Sequence, residues 1–453
     1  WAFRTGQFYP WRGTGRDTDF YASGVEPQSS SINLTLGSGI VTIEEGAFEG
    51  MMISGITLPT SLKTISSRAF FNALNLNTFN IPSNIKSIGH LAFGNSVLGS
   101  LSIEINYINE YLFASTGVSS LDMSDADGLT IVDNYAFSNV KLTNVRGLWI
   151  DTIDIATPAD DDDLNDLLGS SRNIISEVSL PDTLERIGTR AFNRNKISNL
   201  ELPNSVSFIG SGAFNNNELD TLSLSTNLAS LSANVFANNK LQNVVIPTGV
   251  TEIGERAFYQ NDLVNIDLPE GLIAISSEAL AENNLTKINF PDTLTSLAAY
   301  SLKNNAITEI IVPPKIYNIS SYQFSHNNIS RIFIHNQVQQ IDSYAFFSNP
   351  NDQIWLGESV NEVRASAFGF NDENVKSTYF MGYRPAVGGG LGNTKIAFGN
   401  LSSITYCSDA PGWPGPPLEN VVPVLTDDCD FDGVLDDDDA SPKDPFNDSD
   451  GDG

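Results

Sequence analysis

A phenylalanine, usually preceded by alanine, returns at a fixed interval through most of this chain. Phe192, Phe214, Phe236, Phe258, Leu280, Leu302, Phe324, Phe346 and Phe368 mark eight consecutive steps of 22 residues. Phe48, Phe70, Phe93, Phe113 and Phe137 precede them at steps of 20 to 24, and Phe398 is the last. A unit this short cannot bury its apolar side chains alone. It must be covered by identical neighbours, which makes the chain a stack of coils, mainly β, around a shared interior.

One unit gives the local structure. Leu200-Glu201-Leu202 alternates in, out, in, the period of a strand. Pro203 ends it, because proline has no N–H for a continuing ladder. Val206 and Ile209 turn back inward, and Ala213-Phe214 predicts a short helical or 3₁₀ turn that closes the coil. In phase with the phenylalanines run Asn195, Asn217, Asn239, Asn261, Asn283, Asn305, Asn327, Asn349 and Asn371. Asparagines at a fixed place in a tight inner turn predict a ladder of amides bonded to turn backbone. A row of glycan contacts is the alternative, and the tight turn argues against it.

The repeat resembles the BspA-like leucine-rich repeats of bacterial and protist surface proteins. ISNLELPNSVSFIGSGAFNNN (197–217) and LQNVVIPTGVTEIGERAFYQN (241–261) carry the likeness, which covers roughly residues 30 to 407. It implies a leucine-rich-repeat solenoid, a right-handed superhelix of about 16 coils with one parallel sheet and short helical or 3₁₀ turns. Three departures stand out. The step from Phe137 to Phe192 is 55 residues, read as one extra irregular coil plus a loop holding Asp160 to Asp163. The register also fails over 372–397, which is rich in glycine. Ser225, His335 and Gly357 replace the strand-ending proline.

The expected organisation is an aromatic arm or cap at 1–29, the solenoid at 30–407 with irregular stretches at 138–177 and 372–397, a Pro/Gly linker at 408–425, and an acidic segment at 426–453. Trp1, Phe3, Phe8, Tyr9, Trp11, Phe20 and Tyr21 crowd the arm, which either folds over the first coil or binds something else. The first residue is not methionine, so the start is read as processed or trimmed.

The outward residue at each strand centre forms a column: Ser179, Glu201, Ser223, Val245, Asp267, Asn289, Ile311, Phe333 and Trp355. Its last three members are apolar, with Arg331 and Gln353 beside them. Exposed apolar clusters with polar rims mark partner sites. Ile311, Arg331, Phe333, Gln353 and Trp355 are therefore the candidate partner-binding residues. The alternative is that the irregular stretch at 372–397 covers them.

The acidic segment has a sharper pattern than a solvated tail. Asp428, Asp430, Asp432, Gly433, Asp436 and Asp439 fall at positions 1, 3, 5, 6, 9 and 12 of a calcium loop, and Asp448, Asp450, Asp452 and Gly453 begin another. Alternating carboxylates about a glycine turn converge oxygens on one hard cation. The 20-residue phase resembles thrombospondin type 3 repeats, which implies calcium as cofactor. Cys407 and Cys429 form one bridge between solenoid and tail, or stay free; the bridge fits an oxidising, extracellular compartment.

Composition closes off other functions. Lys and Arg number 24 against 54 Asp and Glu, a net charge of −30, which opposes binding to nucleic acid or an anionic membrane. No apolar run reaches the roughly 18 residues of a membrane span. There is no G-x-S-x-G, H-E-x-x-H or P-loop, and His90, His326 and His335 lie within repeat units. The expectation is a non-enzymatic cell-surface adhesion protein whose solenoid binds a protein or glycan on another surface. A subunit joined end to end into an extracellular fibre is the second reading, and a carbohydrate-binding module the third.

Overall fold

The structure, a computed structural model, describes residues 32–73, 75–139, 173–357 and 359–369. It also describes, by their backbone, the strands Ala2–Arg4, Gln7–Tyr9, Ser377–Phe380, Ala386–Val387, Ile404–Cys407 and Pro423–Thr426. The fold is a mainly β parallel solenoid of about 14 turns, with no helix among the described residues. The chain divides into two compact units, Trp1–Leu228 with Val235–Asn239, and Ala229–Asn234 with Lys240–Gly453.

In the first unit most coils contribute two strands, the Gly99–Ile103 coil giving only a bridge at Ile108 in place of its second, so there are two parallel ladders rather than the single sheet expected. The longer strands Thr78–Ile81, Gly99–Ile103, Val118–Asp122 and Glu177–Ser179 pair in that order. Two-residue strands such as Ile131–Val132, Arg186–Ile187 and Phe208–Ile209 form the second ladder. Each of these short strands buries one side chain, Ile209 being 2 % exposed, which is too little alternation to read as a strand from sequence. Gln7–Tyr9 adds to the second ladder beside Thr42–Ile43, and Ala2–Arg4 pairs antiparallel outside it, so these two strands lie on that edge; residues 10–31 lie outside the described residues.

Phe48, Phe70, Phe93, Phe113, Phe137, Phe192, Phe214 and Phe236 form the interior of this unit, stacked at ring-centroid distances of 5.1 to 5.9 Å. The offset stack adds ring contact to the burial of large apolar surface. The turn around each ring is not helical. Arg190 and Arg194, two residues either side of Phe192, have φ of +52° and +61°. The Phe192 N–H reaches Ala213 O of the next coil at 2.9 Å, while the Asn193 N–H bonds Arg190 O at 3.2 Å. Half the donors thus serve the neighbouring coil, an arrangement a helix cannot make. Left-handed residues other than glycine cost about 1–2 kcal/mol each, offset here by contacts between coils.

Across the 55-residue step the described coils are direct neighbours, with no coil stacked between them. Val118–Asp122 pairs directly with Glu177–Ser179, and Phe137 stacks on Phe192 at 5.3 Å. Asn173 Nδ2 donates to Phe113 O (2.9 Å) and Phe137 O (3.0 Å), and its Oδ1 accepts from the Val118 N–H at 3.0 Å. It is therefore the ladder asparagine of the Phe137 coil, displaced along the sequence by an insertion. Asn139 closes the neck, its amide bonding the N–H and the carbonyl of Asn173, both at 2.7 Å. Residues 140–172, with Asp160 to Asp163, lie outside the described residues.

The second unit repeats the pattern. Glu309–Ile311, Arg331–Ile334, Gln353–Leu356, Ser377–Phe380, Ile404–Cys407 and Pro423–Thr426 pair in parallel. Strands Ser377–Phe380 and Ala386–Val387 keep the ladders going through 372–397, and Pro423–Thr426 is ladder where the sequence suggested linker. Asn283 shows the ladder bonding here: Nδ2 to Phe258 O (2.9 Å) and Leu280 O (3.1 Å), Oδ1 from the Leu263 N–H (3.1 Å). Asn371 and Phe398 lie outside the described residues.

Candidate interaction surfaces

With the interior taken up by phenylalanine and asparagine, the side chains left over are those pointing outward from the longer strands. In the second unit Ile311 is 56 % exposed, as its place in the column requires. Phe333 and Trp355 are not exposed. They stack at 4.4 Å and retain only 7 % and 8 % of their surface. Their strands, Ile332-Phe333-Ile334 and Ile354-Trp355-Leu356, are buried at every one of these positions. Continuous apolar runs belong to parallel strands covered on both faces, a signal the sequence carried. Arg331 is exposed, 3.2 Å from Glu309 Oε2 and with its guanidinium 5.4 Å from the Phe333 ring. Gln353 is half-buried. The expected apolar patch reduces to Ile311 with a polar margin.

His335 stands where most coils have proline. Its Nε2 lies 2.8 Å from Pro313 O, and its Nδ1 accepts from the Gln337 N–H at 3.1 Å. Burial holds its pKa below the ordinary 6.5, against the pull of the Pro313 bond. The ring is a neutral turn-former. His326 is likewise lowered by burial, with Lys303 adding to the effect. Among the described residues no group of three or more His, Cys, Asp or Glu is placed to hold a metal, and no helix is long and apolar enough to cross a membrane. Asp428, Asp430, Asp432, Asp436, Asp439, Asp448, Asp450, Asp452 and Cys429 lie outside the described residues; of Cys407 only the strand is described.

A surface that the sequence column missed lies in the first unit. Over Thr78–Ile81, Gly99–Ile103, Val118–Asp122 and Glu177–Ser179 is a depression of about 470 Å³. One row across it reads Thr78, Ser100, Ser120, Glu177. The parallel row reads Asn80, Ser102, Asp122, Ser179. The residues between the rows, Phe79, Leu101 and Leu121, are buried. The depression coincides with the coils of irregular length, where Phe70 to Phe137 runs in steps of 23, 20 and 24. There the pairing slips between Val118 and Ser120, a bulge that re-aims the strand. Gly99, with φ +59°, opens its strand against Asn77 O, which a Cβ would meet at 2.1 Å.

The BspA type Leucine rich repeat region matches this sequence in six copies, over residues 27–145, 170–285 and 251–376. The chain belongs to that family. No curated protein matches it. Among solved structures, this BspA-type solenoid is similar to a leucine-rich repeat protein from Bacteroides ovatus, at 16 % identity over 87 % of this chain and 92 % of that one, TM-score 0.43. It is similar to the pneumococcal vaccine antigen PcpA at 15 % identity, 85 % and 86 % coverage and TM-score 0.39. A leucine rich cell surface protein from Faecalibacterium prausnitzii gives 17 %, 81 % and 90 %, and 0.41.

Proposed function

We propose that this chain is a non-catalytic docking scaffold of the cell exterior that mediates adhesion, with a C-terminal segment stiffened by calcium. The carrying observation is the division of labour within each coil. The interior repeats: a phenylalanine or leucine, an asparagine, and backbone bonds to the next coil. One outward strand position stays exposed while its side chain changes, through Ser179, Glu201 and Ser223 in the first unit and Val245, Asp267, Asn289 and Ile311 in the second. A constant frame with a varied exposed column suits recognition of a large partner. Calcium rests on the spacing of Asp428, Asp430, Asp432, Asp436 and Asp439. The exterior location rests on the family and on the bridge proposed between Cys407 and Cys429.

The test is saturable binding of fluorescent full-length chain to intact cells and to matrix-coated surfaces in millimolar calcium. Unlabelled chain should compete, and antibody should label unpermeabilised cells that make the protein. Absence of saturable binding, together with fibres in negative stain, would replace this reading with the structural one.

A further inference from the structure

We propose that the depression over Thr78–Ile81, Gly99–Ile103, Val118–Asp122 and Glu177–Ser179 docks an extended, Lys- or Arg-bearing segment of a partner protein. The proposal rests on the scaffold reading and narrows it to one face and one partner chemistry.

The lining decides the chemistry. It contains no Lys, Arg or His, and its only charges are the carboxylates of Asp122 and Glu177. Both are exposed, and neither has a cationic partner among the described residues. Asp122 Oδ1 accepts from the Ser124 N–H (3.0 Å) and Oγ (2.7 Å), which fixes the carboxylate without neutralising it. Ser100 and Ser120 bond each other at 2.9 Å, so part of the hydroxyl donor capacity is already used. What remains is a surface richer in acceptors than donors, and its natural complement is a cationic N–H donor.

The same lining disfavours other ligands. Phe79, Leu101 and Leu121 are 5 %, 2 % and 2 % exposed, so there is no aromatic platform for a sugar ring and no apolar anchor for a hydrophobic helix. Two carboxylates on diagonal positions do not make a calcium site, which wants six to eight oxygens. The location adds weight. Regular coils are under one geometric rule, and a repeat protein departs from its rule where function demands it. Here the 23, 20 and 24-residue steps, the slip at Val118/Ser120 and the left-handed Gly99 all meet at the depression. A net charge of −30 over the chain favours encounter with a basic partner.

The experiment titrates full-length chain into a fluorescein-labelled decapeptide of alternating Lys and Ser, followed by anisotropy in millimolar calcium. The same peptide with Glu for Lys and a neutral cello-oligosaccharide are run beside it. Asp122→Asn/Glu177→Gln should weaken the Lys peptide roughly tenfold, the loss of two exposed charge pairs. Ser102→Lys, which puts a cation into the depression, should weaken it further. Neither should move the unfolding midpoint, since all three side chains face outward. Binding elsewhere on the acidic chain would be common to all variants. Equal affinity of wild type and both variants overturns the proposal, as does equal binding of the Glu peptide. Oligosaccharide binding lost in Ser102→Lys, with the Lys peptide unaffected, would make the face a glycan site instead. A chain that still adheres to cells with both variants keeps the scaffold reading and loses this one. Peptide binding without adhesion does the reverse.

Discussion

At the scale of single residues, one amide holds consecutive coils. Asn217 Nδ2 donates to Phe192 O (2.9 Å) and Phe214 O (3.1 Å), and its Oδ1 accepts from the Ile197 N–H (3.1 Å). Alanine there leaves the buried Ile197 N–H without a partner, while Phe192 O keeps Asn195 Nδ2 and Phe214 O keeps Asn239 Nδ2, so Asn217→Ala should cost about 2 kcal/mol, read as a fall in urea midpoint. Asn289→Ala, on the outer face, should stay within about 0.5 kcal/mol. His335 supplies a pH effect. Burial lowers its pKa in the fold, and a proton on Nδ1 would face the Gln337 N–H. The stability tied to the neutral ring is complete above the unfolded value near 6.5 and is lost as pH falls through the lower folded value. Thermal scans should therefore show a falling midpoint below about pH 6. His335→Pro, the residue of the preceding coil at Pro313, should shrink that fall, leaving the part due to His326. The ladder was legible because its asparagines keep phase with the phenylalanines. The fate of Phe333 and Trp355 was less so, because a strand centre points outward whether or not something covers it.

At the scale of the element, spacing tells how many residues a coil holds but not where the additions sit. The 33 residues 140–172 enter between a phenylalanine and its ladder asparagine, which is why the 55-residue step looked like an extra coil. Joining Asn139 to Asn173 would give Phe-Ser-Asn-Asn-Ile-Ile, the same pattern as Phe192-Asn193-Arg194-Asn195-Lys196-Ile197. Deletion of 140–172 should thus leave a folded, cooperatively unfolding chain whose midpoint changes by only a few degrees. Loss of the circular-dichroism β signal would show that the insertion is part of the frame. The phenylalanine turn was misread as helical for a related reason. Ala-Phe within five residues suits a helix, and what forbids it is the left-handed backbone at residues as unlike as Arg190, Glu278 and Tyr322. The depression escaped because its coils, at 20 to 24 residues, fall out of the 22-residue alignment that generated the outward column.

At the scale of the whole molecule, the charge bears on the choice between scaffold and fibre. Copies carrying −30 repel one another, and 12 Asp in the last 27 residues concentrate that repulsion at one end of the sequence. Head-to-tail growth needs a heterologous contact that does not close, and it must form against this field. Calcium is the one change of solvent that acts on both terms, since it neutralises the acidic segment and, in this reading, orders it. Light scattering of the 49.1 kDa chain should give a single mass in excess chelator and the same mass in millimolar calcium, while the thermal midpoint of the tail-dependent transition rises. Removal of 426–453 should abolish that rise and leave the solenoid transition in place. If calcium instead drives the scattered mass upward with protein concentration, the acidic segment is a junction between copies. The two ends of the chain then become the residues to mutate.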